Sequence, residues 1–275
     1  MSPFQRHRAR MMGEIAAVQA ADPAVQRRGG AATEYELQRA RLGVDLRRLH
    51  ELQSVERKIE LKRQLLPGYV DWVEGVMAAN VATEDDILTH VMIWRLDVGD
   101  FAGALPLARF VLRHGLTLPE RFSRTAPTLI CEEIADAALK ALGQDQDFDI
   151  AILRDVEVLV IDEDIFDQVR AKLEKAIGLC LARAADAIEP DADGPAGARR
   201  GAQEQALRHL RRAVELDTNA GVKKRIEKLE RDIRAAMPAP SADAIDTTAI
   251  ADAAVKLHDA LTSLSGVSNP SASGT

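Results

Sequence analysis

Apolar residues recur at helical spacing along almost the whole chain, and turn signals cut the pattern into short lengths. Between 84 and 119, Ile87, Leu88, Val91 and Trp94, with Met92 less regularly, form one apolar face. Thr83 is read as the N-cap, with Glu84, Asp85 and Asp86 loading the first turn with negative charge. The run stops at Val98-Gly99. Asp100 can then cap a second helix through Phe101, Leu105, Ala108, Val111 and Leu112, ended by Arg113, His114 and Gly115, with Pro119 closing the exit. The result is an αα-hairpin. Pro106 conflicts with a helix beginning at Phe101, because an interior proline costs about 3 kcal/mol; a later start near Leu105 is therefore expected.

Upstream, one long amphipathic helix is predicted over 33–65. Leu42, Leu49, Leu52 and Ile59 form a heptad-like seam, broadened by Leu46, Val55 and Leu66 and interrupted by Glu56. Its other face carries Arg39, Arg41, Arg47, Arg48, Arg57, Lys58, Lys62 and Arg63. Pro67 ends it, and Tyr69, Trp72, Val73, Val76 and Met77 form a short helix; Trp72 here and Trp94 in the hairpin are read as core anchors. Helices follow over 128–142, 150–160 (capped by Asp149, with a β-branched stretch at 156–161 leaving a strand as the rival reading) and 165–187. A Pro/Gly/Ala/Asp-rich loop spans 189–200. Two further helices carry Leu207, Leu210, Ala213, Val214 and Leu216, then Val222, Ile226, Leu229 and Ile233. The fold class is all-α, with helical hairpins in repeat-like (tetratricopeptide-like) packing behind the long amphipathic N-terminal helix; the full repeat consensus is absent.

Composition supports this class. Aromatics are 4% of a chain that is 47% hydrophobic, so the core must be aliphatic. No apolar run is long enough for a membrane span or a signal peptide. Cys131 and Cys180 lie in apolar helical patterns without metal-ligand spacing and read as reduced, buried thiols. The formal charge of −7 is unevenly spread. Residues 1–66 carry +5, 67–165 carry −12, 166–236 carry +3 and 237–275 carry −3. These segments are read as a basic arm with the long helix, for DNA binding and oligomerisation; an acidic central helical domain; a C-terminal hairpin region; and a flexible tail with one helix at 242–264.

Arg6, Arg8, Arg10, Arg27 and Arg28 in the arm, where Met11, Met12, Ile15 and Val18 make an amphipathic patch, and Arg39, Arg41, Arg47 and Arg48 on the long helix are the candidate DNA-binding residues. Each cation that neutralises a phosphate releases counterions; the alternative is a solvated arm and a solvated helix face. No aromatic residue interleaves the basic ones, which disfavours single-strand stacking.

Catalytic motifs are missing from the sequence. There is no GxxxxGK[ST] loop, no HExxH and no GxSxG. The histidines are scattered. The acidic pairs Asp85 with Asp86, Asp97 with Asp100, Glu132 with Glu133, and the run Asp162, Glu163 and Asp164 all read as caps or solvated charges. No catalytic residue and no metal site is assigned.

The wording IWRLDVGDFAGAL…AR at 93–109, the opening SPFQRHRARM, the segments LLPGYVDWVEGV and VRAKLEKAIGL, and ALRHLRRAVELDTNAGVKKRIEKLERDI occur in order over most of residues 1–236. In these stretches the chain resembles the small-subunit family of terminases from temperate tailed phages with cohesive-ended DNA, often labelled the terminase endonuclease subunit. The resemblance implies recognition of double-stranded phage DNA at the packaging site, a large-subunit partner that holds the ATPase and cutting centres, homo-oligomerisation, and work in the host bacterial cytoplasm without a membrane. It implies no cofactor in this chain, with Mg2+ entering only if the chain itself cuts DNA. A metal-dependent endonuclease and a protein-binding adaptor without DNA contact are the rival readings.

Overall fold

The computed structural model describes residues 3–21, 31–81, 84–188 and 197–235. Eleven α-helices and no strand occur among them: α1 (Pro3–Ala21), α2 (Ala31–Glu51), α3 (Val55–Leu65), α4 (Val70–Ala79), α5 (Asp86–Asp97), α6 (Phe101–His114), α7 (Ala126–Gly143), α8 (Ile150–Leu159), α9 (Asp167–Ala187), α10 (Ala198–Leu216) and α11 (Lys223–Ala235). The all-α class holds. The chain divides into two compact units, Met1–Arg231 and Asp232–Thr275; of the second, only residues 232–235 are described. The Thr83 cap expected for the first hairpin helix is overturned: Asp85 is the N-cap of α5, its carboxylate accepting from the Ile87 and Leu88 N–H groups at 2.8 and 2.9 Å. The tail helix at 242–264 and the loop at 189–196 lie outside the described residues.

α5 is the centre of the first unit. Every side chain from Ile87 to Trp94 is buried, so the helix is apolar on all sides, which is the mark of a core helix rather than a surface one. Its two buried polar side chains are satisfied locally: Thr89 Oγ1 donates to the Asp85 carbonyl at 3.2 Å, and His90 Nδ1 meets the Asp86 carbonyl at 2.6 Å. Burial holds the His90 imidazole below its ordinary pKa. One continuous apolar core surrounds α5, running from Ala17 on α1 to Cys180 on α9, with Tyr69, Trp72, Ile130, Ile134, Leu173 and Ile177 at its heart. Cys131 and Cys180 are free and buried. Burial pushes their thiols up to about 12 and about 11, so both stay protonated and inert.

The α5–α6 hairpin turns at Gly99 (φ 80°), and Gly115 (φ 63°) ends α6, both in the left-handed region that glycine tolerates best. Asp100 caps α6 through the Gly103 N–H at 3.0 Å. The expected late start of α6 is wrong: the helix begins at Phe101 and Pro106 sits inside it. The cap bond, together with the Ala104 N–H on the Asp100 carbonyl at 2.9 Å, fixes the first turn. Pro106 lies on the exposed face.

Two further expectations are corrected. The long helix over 33–65 is two helices. Ser54 leaves the helical region (ψ 129°), and its hydroxyl accepts from the Arg57 N–H at 3.4 Å, starting α3 afresh. Periodicity alone runs straight through this break, yet Val55, on the supposed seam, is 70% exposed. The run Asp162–Asp164 is not a cap: the residue before α9 is Phe166, which makes no side-chain cap bond, and Arg170 holds this loop by donating to the carbonyls of Val160 and Glu163 at 3.0 and 2.9 Å.

The N-terminal arm is a docked helix. α1 packs along α4, burying Ala9, Gly13 and Ala17 while Met11, Ile15 and Val18 face outward. At the crossing, a Cβ on Gly13 would stand 2.5 Å from the Trp72 carbonyl oxygen, and one on Gly75 would stand 2.0 Å from that of Arg10. Only hydrogen fits at either position.

Candidate functional site

The predicted arginines divide by how the fold occupies them. Arg41 is turned inward, donating to the Gly68 carbonyl at 3.0 Å with its guanidinium 4.8 Å above the Tyr69 ring. Arg48 pairs with the buried Asp45 at 3.0 Å, the carboxylate that also accepts from the Tyr69 hydroxyl at 2.7 Å. These two side chains pin α2 to the start of α4. Arg8 faces Glu34 at 3.5 Å, Arg10 faces Glu74 at 3.7 Å and Arg39 faces Asp86 at 2.9 Å, each with more than half of its side chain in solvent. Exposed pairs of this kind are worth about 0–1 kcal/mol, so a phosphate can compete for these arginines. Arg6 and Arg47 are exposed and have no ion pair among the described residues. Arg27 and Arg28 lie outside the described residues.

The corner between α2 and α3 gathers further cations beside the predicted arginines. Arg47 and His50 end α2, and Arg57 and Lys58 open α3; Arg47, Arg57 and Lys58 have no carboxylate partner among the described residues. His50 and Lys58 line a cleft of about 330 Å3, closed on its far side by Arg121 from the α6–α7 connector, with its guanidinium 4.7 Å above the Phe122 ring. Trp94 lines the same cleft; its indole N–H is buried without a hydrogen-bond partner.

Two carboxylates also face this cleft, Asp97 at the end of α5 and Glu133 on α7. Lys62 Nζ lies 2.5 Å from Asp97. Burial pushes the Glu133 carboxyl above the usual range, and the negative charges of Asp97, Asp136 and Glu132 push it further. Sequence proximity pairs both acids with the wrong neighbours. Asp100 is consumed as the α6 cap, and Glu132 turns away to Arg124 and Lys172. Asp97 and Glu133 are far apart in sequence and line one cleft only because α7 packs beside α5. A second assembly of ligand-type side chains, Glu157, Glu174 and His209, likewise has no sequence signal, because each comes from a different helix.

Residues 39–168 match the family model described as phage small terminase subunit. The protein named terminase, endonuclease subunit, of Escherichia phage P2 is similar throughout, with 42% identity over 233 residues that cover 85% of this chain and 86% of that protein. This chain belongs to the phage small terminase subunit family. Its role accordingly lies in phage DNA packaging. A probable terminase endonuclease subunit of Haemophilus phage HP1 is 22% identical over 232 residues, 83% of this chain and 80% of that protein. No solved structure matches. The span shared with the small terminase family contains every residue that lines the cleft. No helix among the described residues is long and apolar enough to cross a membrane.

Proposed function

We propose that this chain recognises double-stranded viral DNA at the packaging (cohesive-end) site and, as a homo-oligomer in the host cytoplasm, directs cleavage and packaging together with the terminase large subunit. The observation that carries the reading is the α2–α3 corner, where Arg47, Arg57 and Lys58 stand without carboxylate partners among the described residues, beside His50 and the cleft. Unpaired cations can neutralise phosphates, releasing the counterions condensed on the DNA, without first breaking an internal bond. Arg6, Arg8, Arg10 and Arg39 extend the contact along α1 and α2.

The test is binding over a salt series, with a cohesive-end fragment against random DNA. Replacing Arg47, Arg57 and Lys58 together by alanine is expected to lower affinity for both DNAs and to flatten the slope of log K against log[salt] by roughly 0.9 for each phosphate no longer neutralised. Preference for the cohesive-end fragment should survive, because phosphate contacts position and base contacts specify. An unchanged slope would remove this corner from the interface, and no DNA binding by the wild-type chain would favour an adaptor role.

A second reading, cleavage of DNA by this chain itself, is supported by the Lys62–Asp97 pair and Glu133 lining one cleft. The fit to a magnesium ion is chemically sound: Mg2+ is held by one or two carboxylates plus substrate phosphates and waters, and two carboxylates are what the cleft offers. Here Lys62 is the charge that neutralises Asp97 until an ion enters. Under this reading the purified chain nicks DNA in Mg2+ without the large subunit, and Asp97→Asn and Glu133→Gln each abolish nicking while DNA binding persists. Nicking that both variants retain would place the chemistry elsewhere.

A further inference from the structure

Where α8, α9 and α10 meet, each helix contributes one side chain able to ligate a metal: Glu157, Glu174 and His209. Their ligand atoms all lie within 4.8 Å of one another. His209 Nδ1 is 2.7 Å from Glu174 and 3.8 Å from Glu157, and the side chains of His209, Glu174 and Glu157 are only 15%, 16% and 28% exposed. A fourth side chain completes the group. Arg154 donates to Glu157 at 2.8 Å and lies 3.0 Å from His209 Nε2. An arginine can only donate, so Nε2 accepts and Nδ1 carries the hydrogen directed at Glu174.

We propose that Glu157, Glu174 and His209 bind one divalent transition-metal ion of the zinc class, which clips α8, α9 and α10 together in place of Arg154. The geometry is close to what such an ion needs. A tetrahedral zinc with bonds of about 2.0–2.2 Å spaces its ligands roughly 3.4 Å apart; the two measured separations, 2.7 and 3.8 Å, bracket that value. The carboxylate oxygens of Glu157 and Glu174 lie within 4.8 Å of each other, so they must close on the ion as Arg154 withdraws. Imidazole nitrogen and carboxylate oxygen are both zinc ligands, and three protein ligands leave the fourth position to water; the imidazole disfavours magnesium and calcium, which take oxygen.

Charge explains the role of Arg154. Two carboxylates and one guanidinium, which contacts Glu157, leave the group one charge negative; a divalent ion neutralises the carboxylates fully while the guanidinium returns to solvent. Ligation through Nδ1 moves the ring hydrogen to Nε2, which then faces the Arg154 N–H as donor against donor. Arginine and metal therefore exclude each other. The three helices that build the group carry none of the residues proposed to contact DNA, and its test does not depend on them.

The full chain, freed of metal with EDTA, is titrated calorimetrically with Zn2+ and its melting followed with and without the ion. One Zn2+ per chain and a raised melting temperature are expected, since an ion that binds only the folded state stabilises it. His209→Ala and Glu174→Gln should each weaken binding by at least about tenfold. Arg154→Ala should tighten it, a result that a purely ionic latch does not give. If the His209 and Glu174 variants fail to fold, Co2+ bound to the wild-type chain decides: visible absorption bands of a tetrahedral N/O site support the proposal. Absence of those bands, binding that survives His209→Ala, or weaker binding in Arg154→Ala overturns it.

Discussion

Replacing Gly75 by valine is expected to strip α1 from α4 while leaving α5 to α10 folded. The added Cβ would sit 2.0 Å from the Arg10 carbonyl oxygen and 2.9 Å from the Glu14 nitrogen. Both are backbone atoms of a helix, so neither can rotate away as the tip of a side chain could. Overpacking a core usually costs about 1–3 kcal/mol because neighbours adjust; here the only adjustment is to move the whole of α1. What holds α1 is modest. Its seam is Ala9, Gly13 and Ala17, small residues that gain by close approach and not by bulk, and its ion pairs, Arg8 with Glu34 and Arg10 with Glu74, are exposed. A seam of that kind depends on distance, and a shift of about one or two ångströms removes most of its dispersion energy.

Limited proteolysis should then cut within α1 in the variant and not in the wild type, with a loss of helical signal matching the 19 residues of that helix. Gly13→Val should do the same from the other side, since its Cβ would meet the Trp72 carbonyl oxygen at 2.5 Å. Gly143→Ala is the control: Gly143 lies at the end of α7 and a Cβ there meets nothing within 4 Å, so protease resistance should stay at the wild-type level. Equal protease resistance in Gly75→Val and wild type would show that α1 is not seated on α4. The DNA reading is touched as well, because Arg6, Arg8 and Arg10 would then be held on a tether and not on a rigid helix.

How legible is this fold in the sequence? The helix ends are legible where a side chain makes the end: Asp100, Asp149 and Gly115 stand where the pattern places them. They are not legible where two signals compete. Ser54 breaks the apolar stripe of 33–65 by capping a new helix, and the stripe itself gives no hint of it. The face of α1 misleads for a related reason. Hydrophobicity picks out Met11, Met12, Ile15 and Val18, whereas close helix crossings select the smallest residues, so three of these four apolar side chains lie exposed and Met12 is only half-buried. The cleft shows the deeper limit. Lys58, Lys62, Asp97, Arg121 and Glu133 are each visible in the sequence as charges, but their meeting depends on how α3, α5 and α7 pack. No spacing rule reaches across three helices. The buried Asp45 and Asp85 likewise look like ordinary helix charges, because nothing local marks a carboxylate whose partner is a tyrosine or a tryptophan distant in sequence.

Asp85→Ala is expected to destabilise the folded chain by about 3–5 kcal/mol, since it removes a buried acceptor and leaves its donors unpaired, each at about 1–3 kcal/mol. The Asp85 carboxylate accepts from the Ile87 and Leu88 N–H groups at 2.8 and 2.9 Å, capping the central helix, and from the Trp72 indole N–H at 3.0 Å. It is 5% exposed, so no water can replace it freely. Trp72 also stacks on Tyr35 with ring centroids 6.0 Å apart, so the same loss loosens α2, α4 and α5 together. At about 2–4 °C per kcal/mol for a unit of this size, melting should fall by on the order of 10 °C. A second measurement separates the charge from the hydrogen bonds. Burial pushes the Asp85 carboxyl above its ordinary value, and the Leu88, Trp72 and Ile87 donors offset this only in part, with Asp86 adding to the rise. A carboxyl raised in the fold binds its proton more readily there than in the unfolded chain. Its contribution is therefore fully present below the unfolded value of about 3.9 and is lost as pH rises through the folded value. Compared with Asp85→Asn, which keeps an acceptor for the helix amides and does not titrate, the wild-type chain should gain stability as pH falls from neutrality into that window. If the difference instead moves the other way, the hydrogen bonds outweigh burial, and Asp85 is a stabilised anion at the heart of the core.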